Sequence, residues 1–151
     1  MAAERQVEFQ TLSEDRCWQL LAQKNVGRLA VWIDDGPDIF PVNYRIEEET
    51  LVLRTAPGLK LTAATMGRGV AFEVDALDDL HHTGWSVVVR GAANEVTDPE
   101  ELVELRRLLV EPWVGGSRSH YLRIVPTAVS GRQLPGSPGG GRPDRSVSRP
   151  V

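Results

Sequence analysis

At 151 residues, 41% hydrophobic and 25% charged, the chain has enough apolar matter for one domain core, which excludes a fibrous or wholly disordered protein. No apolar run reaches the ~20 residues of a membrane-spanning helix, the opening residues lack a secretory segment, and the single cysteine, Cys17, excludes an internal disulfide or a zinc site of paired cysteines; a soluble cytoplasmic protein is expected. The net charge is −4, and Arg132, Arg142, Arg145 and Arg149 against Asp144 leave residues 1–131 at −7, a poor match for nucleic acid.

Residues 1–12 read as an N-terminal arm. A helix then starts at Ser13, whose hydroxyl is a natural cap, with Glu14 and Asp15 in the first turn where the helix dipole favours negative charge. Cys17, Leu20, Leu21 and Lys24 follow at helical spacing, a mostly apolar stripe with a charged end, and Asn25 and Gly27 are expected to stop it. From there the period becomes 2. Val26 to Ile33 reads as a strand, Asp34-Asp35-Gly36 as a hairpin turn, Ile39 to Ile46 as the return strand and Glu47-Glu48-Glu49 as a solvated turn. Leu51 to Thr55 is a third strand, and Leu59 to Met66 a short helix after Pro57-Gly58. Val70 to Val74 is a buried strand, Asp75 to Thr83 a polar loop, and Trp85 to Val96 a long strand broken or bent at Gly91. Asp98 caps a helix with Pro99 at its first position, reaching about Val110. Tyr121 to Val125 and Ala128 to Leu134 are the last strands. From Pro135 onward four prolines and four glycines fill seventeen residues, a composition that does not repay ordering. The domain is therefore residues 13–134, and 135–151 a disordered tail. About seven strands joined by short turns imply an antiparallel barrel or sandwich, and closure into a barrel would hide the strand edges.

Two segments carry the chemistry. Phe40-Pro41-Val42-Asn43-Tyr44 has a proline inside an apparent strand, where it removes a ladder donor. Either Pro41 is an ordinary edge-strand proline, or the strand faces a ligand there. Arg54-Thr55-Ala56-Pro57-Gly58-Leu59-Lys60 ends a strand and opens a helix with a lysine in the first turn, which opposes the dipole unless an anion is present. Either the two cations are solvated, or Arg54, Thr55 and Lys60 meet a phosphate.

Other candidates read as structure. His81-His82 are adjacent and diverge, and His120 is far along the chain, so no metal site is expected. There is no Gly-x-Ser-x-Gly elbow around Ser86, and Gly67-x-Gly69 precedes a strand rather than a helix. Asp75, Asp78 and Asp79 read as a solvated loop, Trp113 as core, and Cys17 as an inert packing residue.

In order and spacing, Phe40-Pro41-Val42-Asn43-Tyr44, then a hairpin, then Arg54-Thr55…Gly58…Lys60, with the later Gly84-Trp85-Ser86-Val87-Val88-Val89-Arg90-Gly91, resembles the pyridoxamine 5'-phosphate oxidase-like family of FMN-binding split barrels. The resemblance spans Ser13 to Leu134. It implies an antiparallel split β-barrel of six to eight strands, mainly β with flanking helices, that is homodimeric with FMN in a groove between subunits. Phe40, Pro41, Val42 and Asn43 would line the isoalloxazine ring, Arg54, Thr55 and Lys60 would hold the phosphate, and Ser86, with Trp85, would meet the flavin, often from the other subunit. Tyr44 would stand at the pocket wall. No catalytic side chain is singled out, since the flavin carries the chemistry; the implied function is an FMN-dependent oxidoreductase acting on a small molecule. The Trp and Arg-rich substrate motif of true pyridoxamine phosphate oxidases is not evident after Tyr121, which points away from vitamin B6 oxidation. A carrier of flavin, deazaflavin or haem is the alternative, and a plain interaction module a further one.

Overall fold

The structure is a computed structural model that describes residues 8–56, 58–108 and 120–135. Seven strands and three helices are found there: β1 (Gln10–Leu12), α1 (Glu14–Leu21), β2 (Val26–Ile33), β3 (Gly36–Glu47), β4 (Thr50–Thr55), α2 (Leu59–Thr65), β5 (Val70–Asp78), β6 (Thr83–Glu95), α3 (Pro99–Leu108) and β7 (His120–Pro135). All pairings are antiparallel in the order β1-β7-β4-β3-β2-β5-β6, and a further β6–β7 pairing closes the ring. The result is a six-stranded antiparallel barrel with β1 appended to β7, the split-barrel architecture expected.

The barrel is split at β3. Its first half, Gly36 to Asn43, pairs with β2, whereas only Tyr44 to Glu47 pair with β4. The edge of β3 from Pro41 to Asn43 that faces away from β2 therefore has no adjacent strand among the described residues, and Pro41 sits in a continuous register without a bulge. A missing N–H is tolerated at such an edge.

Strand alternation sends Leu29, Val31, Val42, Tyr44, Leu51, Leu53, Phe72, Val74, Val87, Val89, Leu122 and Ile124 inward, all buried. Helix α1 adds Cys17, Leu20 and Leu21, and α2 adds Ala63 and Ala64. Burial, and then the charge of Glu14, push the Cys17 thiol up, so it packs rather than reacts. Tyr44 anchors the centre. Its ring meets Phe72 edge-on at 4.9 Å and 71°, its hydroxyl donates to the Leu21 carbonyl at 2.5 Å, and burial pushes its phenol well above the usual range. Helix α3 closes the outside of β4 and β7, where Leu105, Val52, Val96 and Tyr121 form a second small core. Arg123 pins that helix: it donates to Thr50 Oγ1 at 2.8 Å and to Glu101 Oε1 at 2.5 Å.

The caps behave as expected. The Arg16 amide donates to Ser13 Oγ at 3.2 Å, and the Glu101 amide to Asp98 Oδ2 at 3.0 Å. Several element expectations need correction. Gln10 to Leu12 form a strand on β7, not only an arm. Helix α1 ends at Leu21, and Gly27 lies within β2. A Cβ there would sit 2.3 Å from Phe72 Cζ, so the residue is glycine for close packing and not for ending a helix. Asp75 to Asp78 continue β5, because alternation puts Asp75 and Leu77 on the outer face, where polarity is tolerated. The remaining turn is closed by Asp78, whose Oδ1 accepts from the Leu80 and His81 amides, both at 3.0 Å. Its carboxyl is held below the usual range first by the hydrogen bond with the His81 ring. The last two strands are one, β7, running through Pro126. Opposite it β6 shifts register at Arg90/Gly91, and a Cβ on Gly91 would lie 2.2 Å from the Val125 carbonyl oxygen, so this glycine admits the bulge. Pro57, Leu109, Val110, Trp113 and residues 136–151, the tail included, lie outside the described residues. No helix among the described residues is long and apolar enough to cross a membrane.

Gly27→Ala should lower stability by about 1–3 kcal/mol, since Phe72 cannot yield without displacing Tyr44. Gly36→Ala, where nothing lies within 4 Å, should stay within about 0.5 kcal/mol. Urea denaturation of the two variants checks this, and equal midpoints would contradict it.

Candidate functional site

Core side chains fill the barrel interior, which leaves its outer face and edges to a ligand. Cross-strand registers place Pro41, Arg28, Glu73, Val88 and Ser130 in one row on that face. With strands about 4.8 Å apart, Pro41 stands roughly 14 Å from Val88. Arg28 lies between two carboxylates, 3.6 Å from both Glu73 and Asp75.

The expected site residues fall into two groups. The first is on β3 and β4. Alternation turns Phe40 and Val42 toward the barrel, where Val42 is buried in the core and Phe40, partly buried, packs against it. Pro41 and Asn43 face outward. On β4, Arg54 is registered with Tyr121 and Thr55 with His120, which sets Arg54 and Thr55 on opposite faces of the strand; any convergence has to come around the strand's end. Gly58 turns the chain there at φ 146°. Lys60 belongs to the first turn of α2, and its side chain lies outside the described residues. Tyr44 is interior and bonded to Leu21, so it forms core rather than a pocket wall.

The second group is on β6. Trp85 and Ser86 line a cleft of about 480 Å³ with Phe9, Leu77, Gly84, Arg132 and Leu134 among its other walls. Gly84, at φ 154°, has no space for a Cβ, which would lie 2.6 Å from the Ala76 carbonyl oxygen. None of the β3 and β4 residues lines this cleft.

Two residues that sequence reasoning missed now stand out. Arg132, counted only as part of a basic tail, is registered with Ser86 and joins it in the cleft. His120 stands opposite Thr55, its Nδ1 2.5 Å from Glu95 Oε1. The β6–β7 and β4–β7 pairings bring these residues together, and no local motif announces either. Among the described residues no cluster of three or more His, Cys, Asp or Glu is arranged to hold a metal.

The outer-face carboxylates are electrostatically uneasy. Burial first, then a hydrogen bond and the charge of Asp75, push Glu73 up to about 7 from 4.5, with Arg28 pulling the other way. A carboxyl raised in the folded state binds a proton that the unfolded chain releases, so its stabilisation holds below pH 4.5 and fades as pH rises through 7. Glu73→Gln should therefore gain on the wild type in denaturation midpoint between pH 5 and 8. A difference that does not change with pH would show that no proton is shared there.

Residues 13–133 match the family described as pyridoxamine 5'-phosphate oxidase. Protein Rv0080 of Mycobacterium tuberculosis is 37% identical over 132 residues, covering 84% of this chain and 86% of that one. The FAD-binding protein of Mycobacterium smegmatis superposes with a TM-score of 0.72 at 38% identity, covering 83% of this chain and 98% of that one. A protein of Corynebacterium glutamicum described as a putative pyridoxamine 5'-phosphate oxidase gives 0.73 at 31% identity, with 85% and 95% coverage. The fold, the order of its motifs and these matches agree, and the chain belongs to the pyridoxamine 5'-phosphate oxidase family.

Proposed function

We propose that this protein is a flavin-dependent oxidoreductase acting as a cytoplasmic homodimer, with each flavin held between two chains. The observation that carries the reading is the division of the expected site into two groups that one chain keeps apart: Pro41, Asn43 and the Thr55 corner on β3–β4, and Trp85, Ser86 and Arg132 in the cleft on β6–β7. Two-fold symmetry pairs one group with the other from the second copy, twice over. Family membership and a 38%-identical relative described as binding FAD support a flavin as the ligand.

The residues present suit such a group. The open edge of β3 from Pro41 to Asn43 offers a backbone surface beside which a planar ring can lie. Trp85 supplies apolar area and Ser86 a hydroxyl. Thr55, with Arg54 and Lys60, would hold a phosphate; α2 has only seven residues, so anchoring falls to these side chains. When bound, the flavin supplies hydride or electron transfer. The protein's part is to bind and orient it, to exclude water with apolar walls, and to leave one face open to a small substrate. FMN is the expected form.

Freshly purified protein should be yellow. Two variants then separate a shared site from a single-chain one. Thr55→Ala/Lys60→Ala and Trp85→Ala/Ser86→Ala should each lose most of the flavin as homodimers. Mixed dimers of the two variants should regain about half the wild-type flavin per dimer, because one of the two sites then draws only unaltered residues. Mixed dimers as empty as their parents, or a flavin-replete monomer by light scattering, would overturn the shared site. Colourless protein that takes up no added FMN or FAD would overturn the flavin itself.

A further inference from the structure

A second cleft lies on the same outer face, at the far end of the strands from Ser86. It holds about 370 Å³ and is walled by Trp32, Pro37, Arg68 and Arg90, with Ala30, Ala71 and Thr127 among the rest and no carboxylate among the described residues of its lining. Within a body carrying −7 over residues 1–131, that local charge balance is unusual. Arg68 and Arg90 form no ion pair among the described residues. Two guanidinium groups at one cleft repel unless an anion joins them.

The backbone fixes both arginines where they are. Arg68 is flanked by Gly67 at φ 78° and Gly69 at φ 77°, a conformation that glycine alone adopts without strain, in the turn that leads from α2 into β5. Arg90 precedes the register shift of β6 against β7, and its carbonyl accepts from Thr127 Oγ1 at 3.2 Å. Bulges of this kind re-aim a side chain. Across from them Trp32, 45% exposed, is registered with Pro37, which leaves an indole bordering the cleft. Two fork-shaped donors suit phosphate oxygens, and an aromatic face beside them suits a purine base.

We propose that this cleft binds the diphosphate of an adenine nucleotide, with Arg68 and Arg90 on the phosphates and Trp32 against the base. The nucleotide has two sources of the same chemistry: a flavin dinucleotide, whose single diphosphate would then lie on Arg68 and Arg90 instead of at the Thr55 corner, or a separate nucleotide such as a nicotinamide electron donor, which would leave that corner to the phosphate of FMN. The cleft rests on the flavin reading only for the choice between these two.

The test uses the full chain and ADP as the probe. ADP should quench tryptophan fluorescence saturably, Trp32→Phe should remove most of that quenching, and Arg68→Gln/Arg90→Gln should weaken binding at least tenfold. Arg106→Gln/Arg107→Gln, the same charge change on the exposed face of α3, should leave it unchanged. If the dinucleotide is the occupant, FAD will bind at least tenfold more tightly than FMN, the advantage will vanish in Arg68→Gln/Arg90→Gln, and FAD-loaded protein will refuse ADP. If a separate nucleotide is the occupant, flavin-loaded protein will still take ADP. Absence of ADP binding, or equal weakening by the α3 variant, overturns the proposal. A protein that binds ADP but no flavin upholds it while sinking the flavin reading.

Discussion

Closure through β7 is the constraint from which the rest follows. That one strand, sixteen residues long, pairs with β1, β4 and β6, and without it the sheet would have two exposed edges open to aggregation. A strand joining both ends of a curled sheet has to bend. Here the bend is local: Thr127 is the extra residue opposite the Arg90/Gly91 step, and glycine at 91 allows the Val125 carbonyl to come close. Closure in turn packs the interior with aliphatic side chains and the Tyr44–Phe72 pair. An interior so filled leaves the outer face, and the stretch of β3 that lacks a second neighbouring strand among the described residues, as the places open to a ligand.

Much of this was legible from the residues. Hairpin turns, the Ser13 and Asp98 caps, the strands of the first meander and the family resemblance all depend on nearby positions, and local propensity decides them. What was not legible depends on partners distant in sequence. Gln10 to Leu12 make a strand only because Gly131 to Gln133 lie beside them. Asp75 to Asp78 read as loop because their carboxylates dominate composition, yet the outer face of a sheet accepts such charge. Pro126 reads as a break, and the bulge absorbs it. At the site, the inward turn of Phe40 and Val42 follows from a period of 2 and could have been read directly from Tyr44, whose parity they share. The approach of Arg132 to Ser86 follows from strand pairing, and the shared cleft of Arg68 and Arg90 from the turn that leads into β5 beside β6; neither leaves a trace in the local sequence.

The outer face is neither a plain apolar patch nor a plain polar one. Ile39, at 63% exposure, and Trp32 lie on it, as do Pro41 and Val88, while Arg28 and its two carboxylates occupy the centre. Exposed apolar strand surface of this kind marks an interaction surface. A face so mixed is also selective, because any occupant has to match an arginine flanked by carboxylates as well as fill the hydrophobic ground around them.

A second copy would meet that requirement in a particular way. In a two-fold contact the same patch faces itself, so whatever Arg28 of one chain touches on the other, the reverse contact occurs too. Four carboxylates and two guanidinium groups would then share one desolvated zone, with more negative than positive charge. Burying an unpaired carboxylate costs several kcal/mol, whereas a carboxyl already inclined to keep its proton costs far less to bury. The upward shift of Glu73 would let this charged row lie within such an interface. It would tie the pH response of the single chain to the proposed assembly.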